Sequence, residues 1–135
     1  FDVIASRQLV NGLYDPLAAF HNWHFWLRPS GTIIVMDGLF DRGAWGGCWE
    51  GIVDTLPLSA CRSLAMVPYL LEQVGFRIEV AGWMDATNSL PSTRTKRYVV
   101  VAKKEQQLTM NQPPNKNPPL HEEHHPEHSG ENKII

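Results

Sequence analysis

Two short apolar runs, Phe1-Asp2-Val3-Ile4-Ala5 and Thr32-Ile33-Ile34-Val35-Met36, stand either side of a helix signal, and this arrangement restricts the chain more than any other feature. Neither run alternates with polar residues, as expected for strands of a parallel sheet covered on both faces. Between them, Asp15-Pro16 marks a helix start: Asp can cap free backbone N–H groups, and Pro at the first helical position gives up an N–H that had no partner. Leu17, Phe20, His21, His24 and Leu27 then recur at three and four and predict one covered face, with Trp23, Phe25 and Trp26 flanking it and extending the cover. Arg28-Pro29-Ser30-Gly31 ends the helix and turns the chain. Strand, capped helix, turn and strand make a βαβ unit with a right-handed crossover.

The following stretch, Asp37 to Arg62, is the least regular, and its glycines interleaved with Trp45 and Trp49 predict a loop or short helical insertion over a sheet edge. Ser63 to Val74 has helical periodicity through Leu64, Val67, Leu70, Leu71 and Val74. Pro68 either bends that helix or lies in its first turn. Gly75 is placed for a left-handed C-cap, with Phe76 folding back as the contact after it. Phe76 to Val80 and Tyr98 to Ala102 read as two further strands. The Ser/Thr-rich link from Asp85 to Lys96 is long for a hairpin and can lie over the ligand end of the sheet. Beyond Lys104 the composition turns to Pro, Asn, Gln and Glu with few apolar residues. This divides the chain into a folded part, 1–104, and a disordered acidic His/Pro-rich tail, 105–135.

A net charge of −2 gives no support for a nucleic-acid or membrane surface. No apolar run approaches the ~20 residues a membrane span needs. Cys48 and Cys61 lie outside any CxxC or zinc-ligand pattern, so reduced thiols of a cytoplasmic protein are expected. The histidines of the segment 121–128 can bind a transition metal weakly, but with no fold to fix their geometry tail composition is the better account of them. His21 and His24, about one turn apart, are better read as partly buried or rim histidines than as ligands, because no third ligand lies nearby.

In an open parallel sheet, ligands bind outside the carboxyl ends of the strands. Ser6-Arg7-Gln8 and Asp37-Gly38 occupy those positions. Arg7 can hold a carboxylate, Gln8 can give or accept hydrogen bonds, and Asp37 can accept from a hydroxyl or amine; alternatively Arg7 and Asp37 pair with each other at the rim. Asn11 and Tyr14 can line the same cleft or serve the turn. Trp45, Trp49 and Trp83 can wall a planar substrate, meet a partner, or simply pack over the loop. No Gly-rich phosphate loop, nucleophile elbow or HExxH motif is present, and no catalytic acid–base pair is assigned.

Taken in order, Phe1 to Leu9, Leu13-Tyr14-Asp15-Pro16, Trp23, Leu27 to Gly31 and Thr32 to Gly38 resemble the class I S-adenosylmethionine-dependent methyltransferases, most closely their small-molecule, type 11 or UbiE-like branch. Leu70-Leu71-Glu72-Gln73-Val74-Gly75-Phe76 is similar to that family's "LLxxxGF" segment, and Arg97 to Lys104 to its closing strand. The resemblance implies a partial Rossmann-like α/β sheet, equivalent to strands 4-5-7-6 of the family with the last antiparallel, and flanking helices. It implies that Ser6, Arg7 and Gln8 border the cofactor S-adenosylmethionine, and that Asn11, Tyr14, Asp37 and Gly38 border a small-molecule methyl acceptor. The family's first strand with its Gly-rich loop has no counterpart in these residues, and the chain starts inside a strand with no Met. It therefore reads as the C-terminal half of such an enzyme, inactive alone and completed by an N-terminal half or by self-association through the first strand. The other reading is a non-catalytic interaction module that keeps the half-sheet.

Overall fold

A computed structural model of the chain describes residues 1–45, 47–49 and 51–105; the acidic His-rich tail, apart from Glu105, lies outside them. Four strands, Val3–Arg7 (β1), Thr32–Gly38 (β2), Phe76–Trp83 (β3) and Arg97–Lys104 (β4), form one sheet in the order β1-β2-β4-β3. β1 and β2 are parallel, in register from Val3 opposite Thr32 to Arg7 opposite Met36. β4 runs antiparallel to both of its neighbours, and β3 carries an irregularity between Ile78 and Val80. This is the predicted order and direction of strands.

The helix Pro16–Trp26 (α1) begins as its sequence dictates, with the Asp15 carboxylate accepting from the Ala18 N–H at 2.9 Å and Pro16 in its first turn. In the second helix, Met66–Val74 (α2), Pro68 is the third residue, where its missing N–H costs nothing. Gly75 ends α2 in the left-handed conformation (φ +97°), its N–H turning back onto the Leu71 and Glu72 carbonyls, and Phe76 follows it into the core. A short helix, Asp85–Asn88 (α3), interrupts the link between β3 and β4.

Both helices pack on one face of the sheet. Ile33 and Val35 of β2, Tyr98, Val100 and Ala102 of β4, and Phe76 of β3 share a single core with Val10, Phe20, Leu27, Val67 and Leu71. The alternate residues Ile34, Met36, Val99 and Val101 on the opposite face are only half-buried, and Val3 and Ala5 of β1 are exposed. The expectation of strands covered on both faces is thus corrected. The uniformly apolar runs hide a strict alternation in burial, because α1 and α2 both pack on the first face. In the described sheet β1 also pairs on one side only, since it stands at the end of the order.

The aromatic end of α1 needs a similar correction. Phe20 and Leu27 are buried and Trp23 and His24 half-buried, whereas Leu17 and His21 are exposed and Phe25 and Trp26 are 80% and 51% exposed. α1 meets α2 and the sheet along a narrow strip, so apolar residues a quarter-turn away receive no cover. His24 sets its ring edge-on to Phe76 with centroids 5.1 Å apart, and Lys104 Nζ donates to the His24 and Leu27 carbonyls at 2.8 and 3.0 Å. Burial, reinforced by the charge of Lys104 and opposed by a backbone hydrogen bond at Gly75, holds the His24 imidazole below its ordinary value of 6.5.

A base whose folded pKa is depressed binds its proton more readily unfolded. The stability His24 confers is therefore complete above 6.5 and is lost as pH falls through that value toward the folded pKa. Ring-proton NMR should give a titration midpoint for His24 below 6.5, and the stability of His24→Gln should fall less between pH 7.5 and 5.5 than that of the natural chain. A midpoint at or above 6.5 would contradict the packing described.

Candidate functional site

The carboxyl ends of β1 and β2 lie side by side, and the chain leaves both in unusual ways. Ser6 and Arg7 are still in the strand, while Gln8, the first residue past it, adopts φ +51°, a strained value for a residue with a side chain. Its N–H donates to the Met36 carbonyl at 2.9 Å, extending the ladder one step before the 3₁₀ turn Val10–Gly12. That turn carries Asn11 beneath the end of β2.

There Asp37 is buried, at 2% exposure, and fully engaged. Its Oδ2 accepts from the Val10 N–H at 3.0 Å, and its Oδ1 accepts from Asn11 Nδ2 and from the Gly38 N–H, each at 2.8 Å. Asn11 Nδ2 also donates to the Gly38 carbonyl at 2.7 Å. Burial pushes the Asp37 carboxyl above the usual carboxylate range, and the backbone donors, Gly38 first and then Val10, pull it back. Opposite Asp37 in the register is Tyr98, whose phenol is pushed up by its own burial and then by the negative charge of Asp37. The Asp37–Asn11 pair thus clamps the end of β1 to the end of β2. Arg7 is not among the described partners of Asp37, so the alternative of a rim ion pair is set aside.

Two cavities open around this clamp, and Gln8 and Asp37 line both. The larger, about 700 Å³, lies between the strand ends and the link from β3 to β4. Arg7 reaches it from β1, Thr87 from α3, and Arg94, Thr95 and Arg97 from the link and the start of β4. The link is fixed by Asn88, whose side chain accepts from the Arg97 N–H at 2.7 Å and donates to the Arg97 carbonyl at 2.9 Å. The Arg97 guanidinium lies 5.5 Å from the centre of the Phe40 ring and faces the Gln8 amide. With its oxygen turned toward Arg97, Gln8 accepts from both terminal guanidinium nitrogens at 2.8 and 2.9 Å. Gly38 leaves room for this arrangement, since a Cβ there would lie 3.0 Å from Thr95 Cγ2 and 3.1 Å from an Arg97 nitrogen.

The smaller cavity, about 400 Å³, is walled by Phe40, Trp45 and Trp49. The rings of Phe40 and Trp45 are 5.5 Å apart and those of Trp45 and Trp49 6.0 Å, and Trp45 Nε1 donates to the Ser59 carbonyl at 2.7 Å. The irregular region following β2, which forms 3₁₀ turns including Arg42–Ala44 and Val53–Thr55, therefore brings its aromatics to the strand ends rather than along a sheet edge. Trp83 belongs elsewhere, half-exposed beneath Lys96 Nζ at 5.6 Å.

Of the residues singled out from sequence, Arg7, Gln8, Asn11 and Asp37 line the cavities and Gly38 lies at the same strand end. Ser6 is buried behind them, its Oγ without a hydrogen-bond partner among the described residues. Tyr14 is 77% exposed and forms part of neither cavity wall, because the turn at Leu13 carries it outward before α1 starts. Arg94, Thr95 and Arg97 were not singled out, and only the expected placement of the Ser/Thr-rich link pointed toward them. Among the described residues no group of three or more His, Cys, Asp or Glu is placed to hold a metal ion, and His21 and His24 stay apart from the cavities. Cys61 is a free, half-buried thiol. No described helix is long and apolar enough to cross a membrane.

No family model matches the sequence, and no curated protein matches it. Solved structures do match the fold. An S-adenosylmethionine-dependent methyltransferase assignment from Listeria monocytogenes superposes with a TM-score of 0.56 at 14% identity, over 78% of this chain and 62% of that one. A protein of Galdieria sulphuraria assigned as a sarcosine dimethylglycine methyltransferase gives 0.53 at 14% identity, over 78% and 53%. The [4+2]-cyclase SpnF gives 0.54 at 15% identity, over 78% and 50%. This chain spans about half to three-fifths of the length of those structures. At such identities the likeness is one of fold, and a cyclase among the matches illustrates that one fold serves more than one chemistry. The chain has the Rossmann-like α/β fold seen in S-adenosylmethionine-dependent methyltransferases.

Proposed function

We propose that residues 1–104 form the acceptor side of an S-adenosylmethionine-dependent methyltransferase acting on a small molecule. The observation that carries this reading is the strand order β1-β2-β4-β3 with an antiparallel β4, which corresponds to strands 4-5-7-6 of that family's sheet. The cavities at the carboxyl ends of β1 and β2, where open α/β sheets take ligands, support it further. Of the residues at the end of β1, Ser6 has a buried hydroxyl with no described partner, which fits the polar amino-acid end of S-adenosylmethionine, while Arg7 and Gln8 border the larger cavity.

When bound, the cofactor supplies a methyl group already activated on a sulfonium. The chain's own work is then to orient the acceptor and exclude water, which can supply much of a methyl transfer without an acid–base pair. Gln8, held by Arg97 and set by its strained backbone between the two cavities, is placed to position the acceptor. Asp37, saturated by Val10, Asn11 and Gly38, keeps the two strand ends together.

These 135 residues contain no Gly-rich cofactor loop. Calorimetry with S-adenosylmethionine on this chain should therefore show no binding tighter than about 1 mM, about −4 kcal/mol. Should an in-frame strand, Gly-rich turn and helix precede these residues, expression together with them should bring binding into the micromolar range. Micromolar binding by the 135 residues alone would refute the half-site reading. A second reading, a non-catalytic module that adds a partner strand, draws on the unpaired outer side of β1 in the described sheet; it gains if the upstream sequence confers no cofactor binding.

A further inference from the structure

The larger cavity has a marked imbalance of charge. Three arginines, Arg7, Arg94 and Arg97, border it, and the acidic residue in its walls is Asp37. Asp37 cannot neutralise them, because its oxygens are taken by Val10, Asn11 and Gly38 on the core side. None of the described salt bridges involves Arg7, Arg94 or Arg97. Arg97 is held by Gln8 and by the Phe40 ring, so its guanidinium is fixed in place, and a carboxylate would meet its remaining N–H groups or displace the Gln8 amide. Thr87 and Thr95 stand in the same walls. The cationic cavity adjoins the one walled by Phe40, Trp45 and Trp49: Gln8 and Asp37 line both, and the Arg97 guanidinium lies 5.5 Å from the centre of the Phe40 ring.

We propose that this pair of cavities selects a methyl acceptor that is a planar aromatic acid, its carboxylate held by the arginines and its ring lying toward Phe40, Trp45 and Trp49. This rests on the methyltransferase reading for the word acceptor, but the anion site itself does not. Arginine suits a carboxylate because its N–H groups meet both oxygens of the planar group at once. The aromatic wall offers stacking or edge contacts to a ring and little to an aliphatic acid. A neutral ring of the same shape would leave the guanidinium cluster without an anionic partner.

The ¹⁵N-labelled 135-residue chain, titrated separately with sodium benzoate and with benzamide, tests this directly. Benzoate should shift the amide signals of Arg94, Thr95 and Arg97 saturably in the millimolar range, and added salt should weaken the binding. Benzamide should bind at least about tenfold more weakly, a difference of roughly 1.4 kcal/mol. The double variant R7M/R94M, altered at two exposed side chains outside the core, should fold normally and lose about tenfold in benzoate affinity. Equal binding of benzoate and benzamide, or an unchanged affinity in R7M/R94M, would overturn the proposal. L-methionine provides the remaining arm: if it displaces benzoate, the arginines serve the amino-acid end of the cofactor and the acceptor assignment falls. Benzoate binding that survives while the upstream sequence fails to confer S-adenosylmethionine binding would retain the anion site and remove the methyltransferase reading alone.

Discussion

Replacing Asp37 with Ala should destabilise the chain by about 3–5 kcal/mol, because three donors buried around the carboxylate lose their acceptor together. The backbone N–H groups of Val10 and Gly38 and the amide of Asn11 converge on it, and at 2% exposure water cannot easily replace it. Asp37→Asn keeps one oxygen for Gly38 and Asn11 but turns an N–H₂ toward the Val10 N–H, so a smaller loss of about 2 kcal/mol is expected. The pH dependence has a definite sign. Burial raises the folded pKa of Asp37 above its unfolded value. The stability it contributes is therefore complete below the unfolded pKa, about 3.9, and declines as pH rises through the folded one. Urea denaturation at pH 4 and pH 7 should show a smaller gap between the natural chain and Asp37→Asn at the higher pH. A change within 0.5 kcal/mol for Asp37→Ala, the range of about ±0.5 kcal/mol ordinary for surface positions, would mean that the clamp is not what joins the strand ends.

Phe20→Ala should cost a comparable amount, about 3–5 kcal/mol, by leaving a cavity where the sheet and both helices meet. Phe20 is fully buried in the core shared with Val35, Val67, Leu71 and Val100, and its ring lies 5.4 Å from that of Trp23. For a domain whose whole stability is of the order of 5–15 kcal/mol, such a loss approaches unfolding at ordinary temperature. Phe25→Ala, on the same helix but 80% exposed, should change stability by no more than about 0.5 kcal/mol. The comparison is made by urea midpoints at constant m-value. Equal effects at the two positions would show that α1 is turned differently against the sheet.

These two residues also mark what could be read from the chain and what could not. Local chemistry was decisive where it acts over one turn. The Asp15-Pro16 start, Pro68 in the first turn of α2 and Gly75 in the left-handed conformation all follow from what those residues permit their own backbone. The sheet order came from resemblance to a family, not from periodicity, because nothing local tells β4 to insert between β2 and β3. Burial was misread in β1, β2 and the end of α1 for a related reason. An apolar side chain such as Phe25 or Val3 is covered only if another element arrives, and that depends on the whole fold. At the strand ends, Asp37 and Asn11 were recognised as polar residues in a ligand position, yet their mutual hydrogen bonds need two turns separated by a whole helix. Arg97 stayed unnoticed because it is the first residue of a strand, and only tertiary structure sets it against Gln8 and Phe40.

The position of β4 has a consequence in time. It is the last described strand to be synthesised and lies between two earlier ones, so nothing in the described sheet joins β2 to β3 until it has been made. A nascent chain that has reached α3 holds a parallel pair and a separate strand, with Ile33 and Val35 lacking the cross-strand neighbours Ala102 and Val100. The β2–β4 pairing must close over a long stretch of chain before it gains any hydrogen bond, and that closure costs entropy a purely local pairing would not. Completion of this sheet is a single late event governed by the arrival of residues 97–104.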